Sequence, residues 1–166
     1  MLEITVMPGE RLTAEIDFSW RPFTVDGDHL SFAEHVTARL EEKRCSYWGP
    51  AVYKWQGLLI AGPHSGKVGV LVGETRDLRQ RIKQYVSGTQ DRGNKLWRET
   101  FLSQGDVHLY TLDLHAFKVS GGRGINSVPP SQVLGSNNMR LVLEQLLIME
   151  AVADAGDAAW VVNARQ

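Results

Sequence analysis

The sequence predicts an α+β domain, and three observations carry that prediction. Residues 51–60 and 67–73 are rich in β-branched and aromatic side chains, and only the turn AGPHSG separates them, which reads as an antiparallel hairpin. Residues 106–114, DVHLYTLDL, read as a third strand. Apolar positions recur at helical spacing after each of these units.

In chain order, residues 1–25 alternate in short pieces (LEITV, AEIDF) broken by Pro8-Gly9 and Arg21-Pro22, so a small β-element is expected there. Ser31 followed by Glu34 forms a capping-box pattern for a helix over 32–44, with Val36 and Leu40 in its apolar stripe. Residues 1–48 are thus read as an accessory extension and 49–166 as the principal domain. Thr75 is the expected cap of a helix over 76–87, whose Leu78, Ile82, Tyr85 and Val86 share one face. A second helix is expected over 92–102. The glycines and prolines of 118–136 predict a long surface loop. Asn137 or Asn138 then caps an apolar helix over 139–153, and WVVNARQ reads as a short closing strand.

With 166 residues, 43% of them hydrophobic and 22% charged, the chain suits one core. No apolar run is long enough to span a bilayer, and the first residues lack the pattern of a secretion signal. A lone cysteine, Cys45, fits a reducing compartment, so a cytoplasmic protein with no membrane partner is expected. Net charge is −1, yet from Arg76 to Arg98 seven cations face two acids, Asp77 and Asp91. Such a patch can neutralise backbone phosphates; it also suits a solvated helix face.

Gly62 and Gly66 do not form a phosphate loop. Only three residues separate them, Val68 stands at the hydroxyl position, and a strand rather than a helix follows. The histidines have no metal-ligand spacing among themselves or with Cys45. Glu144, inside LVLEQLLIMEAV, has Leu141, Leu147 and Ile148 beside it on a helical wheel. Burying a carboxylate costs several kcal/mol, roughly, unless a cation or salt bridge compensates it. Arg81 and Tyr85 lie four apart and so share one side of their helix.

Taken together, Ala51-Val52-Tyr53, Leu71-Val72-Gly73, the continuation ETRDLRQRIKQY and Leu143-Glu144-Gln145-Leu146-Leu147-Ile148 resemble the motifs of the GIY-YIG nuclease family. Leu71 departs from it, standing where the family has its second tyrosine. The resemblance implies a small three-stranded antiparallel sheet flanked by helices, with the N-terminal β/helix extension added. It implies a catalytic set of Tyr53, Arg81, Tyr85, Glu144 and Asn163, with Glu144 binding one divalent cation, Mg²⁺ or alternatively Mn²⁺. Tyr53 would activate water, Arg81 would bind the phosphate oxygens, and cleavage would leave 5′-phosphate and 3′-hydroxyl ends. The implied partner is double-stranded DNA, contacted by Lys54, Lys67, Arg76, Arg79, Lys83, Arg92, Lys95, Arg98, Lys118 and Arg123. One site per chain would favour a homodimer or sequential nicking. The alternative on the same scaffold is a catalytically silent nucleic-acid-binding module.

Overall fold

The computed structural model describes residues 2–7, 10–38, 40, 43–87, 95–103, 105–121 and 124–163, with side chains from residue 13 onward except at 95, 96 and 155. The expectation of a small three-stranded sheet is overturned. Seven strands form one sheet among these residues: β1 (Leu2–Met7), β2 (Glu10–Pro22), β3 (Ala51–Leu59), β4 (Val68–Thr75), β5 (Gly105–Gly121), β6 (Gly124–Val128) and β7 (Ala159–Val161). The order is β1-β2-β5-β3-β4-β7, with β6 pairing to the far end of β5. All pairs are antiparallel except β4 with β7. The N-terminal strand β2 is therefore hydrogen-bonded into the same sheet as the 51–75 hairpin.

The third strand is longer than its periodicity announces because it changes phase midway. Val107 and Leu109 pack on one face, while Leu112 and Leu114 pack on the other, as strict alternation requires. Beyond them, Asp17 pairs with Ala116 but Phe18 pairs with Leu114, so His115 is an extra residue in the ladder. This bulge returns Phe117 to the face of Leu114. A period-2 pattern stops at Leu114; the strand does not. The expected loop over 118–136 is likewise corrected to the end of β5, strand β6 and a helix, α4 (Pro130–Gly135), which Pro130 can start without needing its missing N–H.

Helices cover both faces. On one side lie α1 (Phe32–Thr37), α2 (Leu78–Ser87) and α3 (Lys95–Ser103), packing Phe32, Leu78, Ile82, Tyr85, Trp97 and Phe101 against Tyr53, Trp55, Leu59 and Leu109. On the other, α4 and α5 (Asn137–Ala155) pack Val133, Leu143, Leu147 and Ile148 against Val52, Val70, Val72 and Phe117. The layers are helix, sheet, helix.

Local chemistry explains the helix ends. Ser31 and Glu34 form the expected capping box, but α1 stops at Thr37, whose hydroxyl donates to the Glu34 carbonyl while Ala38 turns extended. The cap of α2 is Asp77 rather than Thr75: the Asp77 carboxylate accepts from the Gln80 N–H at 3.0 Å, and Thr75 holds Asp77 in turn. Ser136, not an asparagine, caps α5 by accepting from the Met139 N–H.

Candidate active site

One glycine-dependent contact builds the site's first half. Tyr53 on β3 is the direct cross-strand partner of Gly73 on β4. A Cβ at Gly73 would strike the Tyr53 ring and hydroxyl, so only glycine lets the ring lie across the neighbouring strand. The Tyr53 side chain is thereby fully buried, 0% exposed. Its hydroxyl meets the Tyr85 hydroxyl at 2.6 Å and accepts a hydrogen bond from Arg81 Nε at 3.0 Å. The Arg81 guanidinium also stands 5.0 Å from the centre of the Tyr85 ring, and its Nη1 donates to Gln84 Oε1 at 3.4 Å. Tyr85 and Arg81 come from successive turns of α2, as their spacing requires.

The second half comes from the other face. Strand β7 pairs only with Val68–Val70, so the outer edge of β4 is bare of strand from Leu71 onward. The Glu74 backbone N–H points to that edge and favours the ionised form of the Glu144 carboxylate of α5. The positive charge of Arg81 on α2 acts on the same carboxylate, lowering its pKa. The open edge is what allows groups from opposite helical layers to meet.

Glu74 itself brings a second carboxylate. Its Oε2 accepts from Arg140 Nε at 2.9 Å, and Arg140, 0% exposed, also donates to the Leu134 carbonyl and to Asn137 Oδ1. Burial, and then the negative charge of Glu74, push the Glu144 carboxyl above its ordinary range. Burial, followed by the neighbouring Tyr85 phenol, pushes the Tyr53 hydroxyl well above its usual value. A polar cleft of about 360 Å³ opens beside these groups, lined by Glu74, Arg76, Asp77, Arg81, Gln84 and Asn137.

Tyr53, Arg81, Tyr85 and Glu144 thus converge; Asn163 does not join them. Its side-chain amide brackets the backbone of Val72, accepting from the N–H and donating to the carbonyl at 2.6 Å. Water activation by Tyr53 is also at odds with the geometry, since a fully buried, neutral phenol has no access to solvent. Leu71 is packed into the core opposite Trp55.

The expected DNA-binding cations divide. Arg76 lines the cleft, and Lys83 is exposed on α2. Arg79 stands 5.3 Å over the Trp48 ring. Arg98 is instead a structural cap: its Nε and Nη2 donate to the Tyr85 and Val86 carbonyls at 2.7 and 2.9 Å, closing the C-terminal end of α2. Lys54 points to the α5 face, where its ammonium sits 4.6 Å over the Trp20 ring. Lys67 lies at the opposite end of β4, roughly 23 Å of extended chain from Glu74. Lys118 pairs across the β2–β5 ladder with Glu15 at 3.3 Å. Arg92 and Arg123 lie outside the described residues, as does the Lys95 side chain.

Sequence reasoning missed Glu74 and Arg140, although both carried a signal. Val70, Val72 and Glu74 share a strand face, so a carboxylate continues an apolar series. Arg140 falls in phase with Leu143 and Leu147 on the buried stripe of α5.

Two adjacent carboxylates, one of them shifted upward by the other, are the donor set that a Mg²⁺-sized ion takes when water or phosphate completes its shell. Among the described residues no group of three or more His, Cys, Asp or Glu side chains could form a protein-only cage. No protein-family model, no characterised protein and no solved structure matches the chain.

Proposed function

We propose that this chain is a metal-dependent DNA endonuclease of the GIY-YIG kind, hydrolysing phosphodiester bonds to 5′-phosphate and 3′-hydroxyl ends. The observation that carries the reading is the hydrogen-bonded cluster of Tyr53, Tyr85 and Arg81 beside a polar cleft, with the Glu144 carboxylate near enough to feel the charge of Arg81. Arg81 is always charged and presents parallel donors, which suits the non-bridging oxygens of a phosphodiester. Tyr53 and Tyr85 position that guanidinium by hydrogen bonding rather than reacting themselves. Glu144 would hold the cation, and Glu74, which engages Arg140 through Oε2, would contribute its remaining oxygen. A bound divalent ion supplies charge stabilisation to the leaving 3′-oxygen. Arg76 at the cleft would add a backbone phosphate contact whose strength falls with salt.

The test is nicking of supercoiled plasmid in Mg²⁺ by wild type, Arg81→Ala, Glu144→Ala and Glu74→Gln. Each substitution is expected to lower the rate by at least about 10²-fold for Arg81 and Glu144, the loss typical of removing one transition-state charge partner. Wild-type rates in both alanine variants would refute the assignment.

A second reading, the catalytically silent nucleic-acid-binding module, draws support from one observation: the hydroxyl nearest the arginine is wholly buried, and Leu71 supplies no other. It predicts salt-sensitive retention of DNA with no cleavage in Mg²⁺ or Mn²⁺.

A further inference from the structure

Another cavity lies on the other face of the sheet. It holds about 420 Å³ between α5 and strands β2, β3 and β4, within the usual range of small-molecule sites. Its origin is in the sequence of the helix end. Ala151, Ala158 and Ala159 line it, and side chains this small leave unfilled the space that Leu143 and Leu147 fill one and two turns earlier.

The floor is apolar, formed by Val70, Val72 and Phe18, and the charges lining the cavity are Lys54 against two carboxylates, Glu150 and Asp154. Alternation along β3 sends Lys54 to this side while Tyr53 and Trp55 go to the other. The Lys54 ammonium rests between aromatic faces, 4.6 Å from the Trp20 ring centre and 5.6 Å from that of Tyr110. Glu150 on α5 lines the same cavity and attracts Lys54 electrostatically. Among the described residues, however, Lys54 has no carboxylate within ion-pair distance, so the two charges face each other across a gap. A half-buried ammonium facing an exposed carboxylate at the rim of an apolar floor complements one kind of molecule: one carrying both charges at one end and a hydrocarbon body at the other.

We propose that this cavity binds a free apolar α-amino acid. Its carboxylate pairs with Lys54, its ammonium pairs with Glu150, and its side chain lies over Val70 and Val72. Gln56, also lining the cavity, offers an amide to the carboxylate end. The site shares no residue with the cleft beside Arg81, so it stands or falls independently of the nuclease reading.

The experiment is calorimetric titration of the full chain with L-leucine and L-phenylalanine, then with N-acetyl-L-phenylalanine and L-phenylalanine amide, each of which lacks one charge. Saturable binding of a free amino acid is expected, with both blocked derivatives weaker by about tenfold or more. Lys54→Met and Glu150→Gln are each expected to weaken binding of the free amino acid by a similar factor. Should Lys54→Met fail to fold, Glu150→Gln and the wild-type comparison of derivatives decide alone. Absence of saturable binding overturns the proposal. So does a blocked derivative that binds as well as the free amino acid, which would point to a peptide terminus instead.

Discussion

Replacing Tyr53 with Phe removes one oxygen from the centre of the candidate site and nothing else. That oxygen accepts from the Arg81 guanidinium and shares a hydrogen bond with Tyr85, and no solvent reaches it to take its place. A hydrogen bond from a charged donor contributes about 1.5–3 kcal/mol and a neutral one about 0.5–1.5, so the variant should lose roughly 2–4 kcal/mol. In a chain of 166 residues that corresponds to a fall in Tm of roughly 5–15 °C. Urea unfolding followed by tryptophan fluorescence measures it directly. Repeating it with Arg81→Met and with the double variant isolates the pair, for which a coupling of about 1–3 kcal/mol is expected. The cleavage rate should fall in the same variant because Arg81 has lost its anchor. Additive effects, within roughly 0.5 kcal/mol, would show that Tyr53 does not position Arg81 and would refute the reasoning.

Gly73→Ala should destabilise by about 1–3 kcal/mol through overpacking against the Tyr53 ring, and the penalty should shrink in a Tyr53→Leu background, as paired urea melts would show. Arg98→Ala strips two carbonyls of their donor and should cost roughly 2–3 kcal/mol, with amide exchange quickening in the last turn of α2 before it does in α5. His35 is held below its ordinary pKa of 6.5, chiefly by burial. As pH falls through 6.5 the unfolded chain takes up a proton that the folded chain refuses, so stability should drop by up to about 1.4 kcal/mol per pH unit. Stability measured from pH 7 to pH 5 should therefore be flatter in His35→Leu than in wild type; parallel curves would contradict the burial argument.

The hairpin, the helices after it and the shared side of Arg81 and Tyr85 were legible because each rests on local spacing, whereas Tyr53 and Glu144 were joined to them only by the resemblance. The remaining architecture depends on partners distant in sequence. Nothing in AEIDFSWRP announces that it pairs with LDLHAFKV a hundred residues later, and the bulge at His115 hides half of β5 from a period-2 search. Local spacing also misassigns residues whose partners are remote. Arg98 reads as a surface cation until α2 is seen to end beside it, and the amide of Asn163, a site residue by resemblance alone, lies against the Val72 backbone. Glu74 went unread because its meaning comes from Arg140, on a different element and 66 positions away.

The side-chain amide of Asn163 offers β4 one donor and one acceptor, which is what the next peptide unit of a growing neighbour strand would have offered. It is a terminator written into the sheet. Had β7 run on by four residues, its main chain would stand opposite Glu74 and occupy the edge that now faces the Glu144 carboxylate. The cleft is therefore a consequence of where sheet growth halts, and the length of a three-residue strand at the far end of the chain decides whether the site exists at all.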